Sequence, residues 1–257
     1  MNIDPNQIVM WIGVYFLPFV RIGAFFATVP VAGNQLVPLR IRLLLALATT
    51  ALLVPSLPGA APAASLSAET FLSLAQQLTI GIALGFFVQM FFHIFVLAGQ
   101  MIAMQMGLGF ASMVDPTNGV SVAVVSQFYV IFVTLLFLAF NGHLVVFEVL
   151  AQSFVFIPIG GSGLSGEAMY GLAIAGSWMF ASALLLALPA VTAILIVNFA
   201  FGVMTRAAPQ LNIFSLGFPF TLIFGIFILW VALGGFMPQY QDLSAETFRM
   251  LRAMIGT

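Results

Sequence analysis

Six basic and seven acidic side chains cannot solvate a chain of 257 residues that is 63% hydrophobic and 5% charged, with a mean hydropathy of +1.20. A water-soluble domain of this size carries about 25% charged residues, so these figures exclude a free globule in water and leave lipid or other apolar protein around most of the surface. With a net charge of −1, no lysine and no cysteine, the chain offers no basic patch for nucleic acid and excludes disulfides, thiolate metal sites and thiol nucleophiles.

In chain order, the N-terminus has no positive n-region, and its first apolar run, roughly Ile8 to Val31, outlasts a signal sequence. The segment is therefore expected to stay in the mature protein. Arg21 alone interrupts it. A polar joint containing Gly33, Asn34, Gln35, Pro38, Arg40 and Arg42 precedes a second run, Leu43 to Val54. The Pro/Ala/Ser stretch Pro55 to Ser67 reads as a surface loop. Ser67, with Glu69 and Thr70 behind it, signals a new helix start.

From Glu69 to Met106 there are 38 residues without a proline, a helix of about 57 Å at 1.5 Å per residue. The bilayer core is about 30 Å thick, so the helix is either broken or extends well beyond the hydrocarbon. At 100° per residue Gln89, His93, Gln100 and Met104 fall within about 60° of one another, with Gly85 and Gly107 on the same side. Lipid offers Gln and His no partner. Two readings of this stripe stand open, helix–helix contact and the lining of a water-filled passage. Gly81 and Gly85 add a G-x-x-x-G spacing suited to close helix approach.

Next come Gly107, Leu108, Gly109, Phe110, Ala111, Ser112, Met113, Val114, Asp115 and Pro116, leading to Thr117-Asn118-Gly119. Two glycines, Asp-Pro and Asn-Gly predict irregular backbone. At membrane depth such backbone survives only inside protein or beside a cavity. The segment is either a buried re-entrant loop or a deformable seal, for which methionine is well suited.

Val120 to Ile159 is interrupted once, at Asn141-Gly142-His143, and predicts a helical hairpin of about 20 and 16 residues. Glu148 and Gln152 lie one turn apart on its second arm. A Gly/Ser linker, Gly160 to Gly166, follows. Ala168 to Met204 reads as a helix kinked at Pro189. Ile213 to Phe236 leads into an amphipathic tail with Phe248, Leu251 and Ile255 opposite Asp242, Glu246 and Arg249. The positive-inside rule puts Arg40, Arg42 and Arg206 on the cytoplasmic side, whereas a count of six spans sends Arg249 and Arg252 to the other.

Several segments together resemble the FliR family of type III export-gate subunits, whose injectisome counterparts are the SctT proteins. They are Asn198-Phe-Ala-Phe-Gly202 continuing through Arg206-Ala-Ala-Pro209-Gln-Leu-Asn212-Ile-Phe214 to Gly217-Phe-Pro219, then Gln105-Met-Gly-Leu-Gly-Phe110 with Asp115-Pro116. Phe140-Asn-Gly-His-Leu144, Leu188-Pro189, Arg21 and the joint from Pro38 to Arg42 match as well. The likeness runs in order along nearly the whole chain.

The resemblance implies an all-α integral membrane protein of long, partly broken helices arranged as hairpins. Residues 1–165 would form a FliP-like part with a plug loop at 107–119, and residues 166–257 a FliQ-like two-helix hairpin with an amphipathic tail. It implies a single copy assembled with FliP and FliQ into a helical gate raised from the bilayer plane. FlhB and FlhA would be neighbours, and unfolded flagellar proteins the cargo, at the basal body in the bacterial inner membrane. It implies no catalysis and no cofactor. Leu108, Phe110 and Met113 would close the pore at rest, with Gly107 and Gly109 free to move aside.

Among the remaining polar groups, Arg21 and Glu148 are expected to find partners between subunits. Arg206, ahead of Pro209 and Asn212, is expected to cap a helix end, and His143 to be a turn residue. The reading from another class is a small-solute transporter with His93, Glu148 and Arg21 as a relay. The chain has no Gly-x-Ser-x-Gly, His-Glu-x-x-His or paired intramembrane Asp, which argues against an enzyme.

Overall fold

The computed structural model describes residues 5–30, 37–57, 68–108, 123–207 and 213–256. Among them the α-helices are α1 (Pro5–Thr28), α2 (Leu39–Leu53), α3 (Ala68–Gln105), α4 (Val124–Ala139), α5 (Gly142–Phe156), α6 (Gly166–Ala207), α7 (Ile213–Leu233) and α8 (Phe236–Ile255), with a 3-10 turn at Val54–Ser56. The all-α fold implied by the resemblance is the one observed among the described residues.

α3 is a single helix of 38 residues, and α6 one of 42 that runs through Pro189. Continuity settles the question raised by the length of α3. Even at a 40° tilt, about 57 Å of helix projects about 44 Å along the membrane normal, more than the hydrocarbon core. Two described helices, α3 and α6, are long and apolar enough to cross, or up to four spans if each of two bent pairs counts as one.

Two joints are defined in detail. Between α4 and α5 the helix is broken within the expected interruption: Asn141 adopts the left-handed conformation (φ 58°), and the new helix starts at once, with Leu144 N–H bonded to the Asn141 carbonyl at 2.9 Å. Between α7 and α8, Gly234-Gly235 interrupts what hydropathy presents as one run continuing into the tail, and the path turns by 64°. The tail itself has the expected faces, with Leu251 and Ile255 buried and Asp242 and Arg249 exposed.

The chain divides into two compact units. The first comprises Met1–Met90, Leu138–Gly176 and Glu246–Thr257. Its core holds Leu17, Ile22, Phe25 and Phe26 of α1, Ile80, Leu84 and Phe87 of α3, and Val149 and Leu150 of α5. Lipid is as apolar as leucine, so packing and hydrogen bonds rather than transfer from water must hold such a core together. The G-x-x-x-G pair supplies that packing. A Cβ on Gly81 would collide with the Arg21 carbonyl oxygen and lie 2.8 Å from the Ala24 Cβ. One on Gly85 would collide with the Thr28 hydroxyl and lie 2.9 Å from the Phe25 carbonyl oxygen.

The second unit comprises Phe91–Phe137 and Ser177–Ala245. Here a Cβ on Gly99 would lie 2.6 Å from the Cα of Ser126, whose hydroxyl donates to the Val96 carbonyl at 2.9 Å. An aromatic cluster surrounds this crossing. Phe91, Phe95, Tyr129, Phe137, Phe236 and Tyr240 pack with ring centroids 5.3 to 6.4 Å apart, each pair contributing about 0.5–1.5 kcal/mol beyond its burial.

Candidate functional site

The segment expected to gate begins where α3 ends, and that end is defined in detail. Gly107 takes φ +83°. Its N–H bonds to the Met104 carbonyl at 3.1 Å, and the Leu108 N–H reaches the Ala103 carbonyl at 3.0 Å. This paired pattern with glycine in the left-handed position is the Schellman stop, which satisfies the last carbonyls of a helix. Gly107 is thus a terminator in this structure, held by two hydrogen bonds. Leu108 is half-buried beside it. Gly109, Phe110, Ala111, Ser112, Met113, Asp115 and Pro116 lie outside the described residues.

Two later helices hold this end within the second unit. Asn198 of α6 donates its side-chain amide to the Gln105 carbonyl at 3.3 Å. From α7, the Phe218 ring approaches to 3.0 Å of where a Gly107 Cβ would be. Met106 is buried, its side chain lying against Gly225. The Asn198 bond went unforeseen. Asn198 stood in the most specific segment of the family likeness, but the identity of its acceptor, a main-chain carbonyl, has no signature in sequence.

The polar stripe has an outward aspect. His93, Gln100 and Met104 are exposed and Gln89 is half-buried, while Phe91, Ile94, Phe95, Ala98 and Ile102 face the interior. Gly85, grouped with the stripe by angle, is buried under Thr28 instead. Gln100 and Met104 thus lie on the outer face of the helix among the described residues.

Arg21 is fully buried. Nε donates to Gln77 Oε1 of α3 at 2.7 Å, one terminal nitrogen to the Ser153 carbonyl at 2.7 Å and its hydroxyl at 3.2 Å, and the other to the Ile157 carbonyl at 2.8 Å. Its guanidinium also lies 4.2 Å from the Phe154 ring centroid. The two carbonyls belong to the C-terminal end of α5, at the negative end of the helix dipole, and that of Ser153 also accepts the Ile157 N–H at 3.0 Å. Where a neighbouring subunit was expected to satisfy Arg21, its own chain does so. Arg21 does not pair with Glu148. That carboxylate is exposed, accepts a hydrogen bond from Gln152 at 3.0 Å and lies 3.8 Å from Arg252.

His143 is the second residue of α5, and its Nδ1 is buried without a hydrogen-bond partner. Arg206 lies in the last turn of α6, exposed. Pro209 and Asn212 lie outside the described residues. Among the described residues no three His, Asp or Glu side chains gather as metal ligands.

Residues 12–247 match the model of a protein family described as bacterial export proteins, family 1. The flagellar biosynthetic protein FliR of Escherichia coli (strain K12) is 38% identical over the whole chain and 98% of its own length. The protein of that name from Pectobacterium carotovorum subsp. carotovorum is 40% identical over 95% of this chain and 94% of its own. That of Bacillus subtilis (strain 168) is 28% identical over 98% and 99%.

Proposed function

Because the chain belongs to the bacterial export proteins, family 1, we propose that it is a non-catalytic core subunit of the flagellar type III export gate in the bacterial inner membrane. One copy would assemble with FliP-like and FliQ-like subunits around a pore for unfolded flagellar proteins, with FlhB-like and FlhA-like neighbours. Residues 1–165 would correspond to a FliP-like part and 166–257 to a FliQ-like part. The flagellar names of its relatives favour flagellar over injectisome use.

The observation that supports this reading best is the anchoring of the α3 end. A loop that must seal against ions and yield to a chain needs a fixed base, and the α3 end supplies one through the hydrogen bonds of the Gly107 and Leu108 N–H groups and the approach of Gly107 to Phe218. Phe110 and Met113 downstream would exclude water by dewetting. The exposed apolar faces of α6 and α7, including Phe180, Leu185, Ile196, Phe199, Ile223 and Trp230, call for lipid or partner subunits to cover them.

The test is deletion of residues 109–119 in the host, with assembly followed by native mass spectrometry in mild detergent. A complex holding one copy of this chain with several copies of two small helical proteins, together with a raised ion conductance, is the expected result. Unchanged conductance in an intact assembly refutes the plug. A monomer or homodimer without such partners refutes the gate.

A further inference from the structure

The outward face of α3 changes character along its length. Leu78, Ile82 and Phe86 are exposed in its first half, whereas His93, Gln100 and Met104 are exposed in its second. All six fall on one side of the helix at 100° per residue. Between Thr70 and Val114 there is no Asp, Glu, Lys or Arg. The face is therefore apolar first, then carries His93 and Gln100 ahead of the apolar Met104, and nowhere bears a carboxylate, ammonium or guanidinium. Its polar part ends at the gripped helix end that opens the loop.

From this pattern, and resting on the gate reading above, we infer that His93, Gln100 and Met104 form a wall that engages the main chain of a passing polypeptide and is indifferent to the charge of its side chains. An unfolded chain in a narrow passage loses water from its peptide groups, and each N–H and C=O then needs a partner. A primary amide offers two donors and an acceptor at one point, so Gln100 can serve the backbone of any residue that passes. Met104 adds a flexible apolar contact that adapts to side chains of different shape. His93 to Met104 spans about 16 Å of helix, the length of about five extended residues. Successive peptide groups are thus met before earlier ones are released. A fixed charge here would hold oppositely charged stretches and repel like ones, with little screening once water is excluded. Its absence lets acidic and basic segments pass alike.

The experiment uses a strain lacking this chain, complemented with the full-length protein. Two export substrates are followed, identical except for an acidic or a basic segment of equal length. The wild-type chain is expected to restore export of both at similar rates. Q100K and Q100E should split the two rates in opposite directions, each by about fivefold or more. Q100L should slow both equally, and Q100N, which keeps the amide, should behave as wild type. If the wild-type chain fails to restore export, the gate reading itself is wrong. If it restores export but Q100K and Q100E leave the rate ratio unchanged, the wall alone is refuted. Loss of the assembled complex in every Gln100 variant would identify Gln100 as a subunit contact and likewise overturn the inference.

Discussion

The side-chain amide of Asn198 donates to the main-chain carbonyl of Gln105 across 93 positions of sequence, at 3.3 Å. It ties the last quarter of α6, nine residues before Ala207, to the last residue of α3, two residues before the Gly107 stop. Replacing Asn198 by Leu leaves that carbonyl without its side-chain donor, a loss of about 1 kcal/mol. In the assembled gate the expected result is a small fall in the melting temperature with a larger rise in ion conductance. A conductance equal to wild type would detach Asn198 from the seal.

Gly107→Ala asks the same helix end to bear a side chain at φ +83°, at a cost of about 1–2 kcal/mol. The new Cβ also meets the Phe218 ring at 3.0 Å. The double variant G107A/F218L should recover the steric part and leave the backbone part. Thermal unfolding of the two variants in detergent checks this; equal melting temperatures would show that Phe218 yields freely.

The three glycines of α3 should be intolerant of alanine. Added Cβ atoms at Gly81, Gly85 and Gly99 strike main-chain atoms of Arg21, Phe25 and Ser126 or the hydroxyl of Thr28, and overpacking of this kind costs about 1–3 kcal/mol each. Gly171, within α6, has nothing within 4 Å of its would-be Cβ. There alanine should stabilise by about 0.5–1 kcal/mol. Membrane-inserted protein levels and melting temperatures should separate the two sets cleanly.

Arg21→Met strands Gln77 and the Ile157 carbonyl in a dry core and leaves the Ser153 carbonyl only its bond from the Ile157 N–H. Hydrogen bonds to a charged group contribute about 1.5–3 kcal/mol each, so the loss should exceed about 3 kcal/mol and deplete folded protein. Arg21→Lys keeps the charge but not the planar fork that addresses three acceptors at once, and should recover only part. Pulse-chase turnover of the two variants distinguishes them. Equal half-lives would mean that charge, not geometry, is what the site requires.

Much of the fold was legible because helix periodicity and helix breakers are local. The limits of α3, the close approach at Gly81 and Gly85, and the buried Leu251 and Ile255 of α8 all followed from spacing. Direction was not. Hydropathy records that a chain stays apolar, not that it turns by 64° at Gly234-Gly235. The expected base of the loop was legible only in outline. Gly107 stood out as a glycine, but whether it swings or stops a helix depends on the acceptors at Ala103 and Met104. Likewise Arg21 was visible as a buried charge, while its carbonyl acceptors, offered equally by every residue type, left no trace in the sequence.

The position of those acceptors sets a timetable for biogenesis. Ser153 and Ile157 are made 132 and 136 residues after Arg21, so during synthesis the cation exists long before the carbonyls that neutralise it. Until α5 has emerged, α1 cannot take its final place without leaving a guanidinium dry and incompletely bonded. The first helix must wait at the water-facing margin, its charge hydrated, and dock late. Insertion of this chain is therefore not a simple succession of helices in the order they are made, and its earliest helix is among the last to be locked.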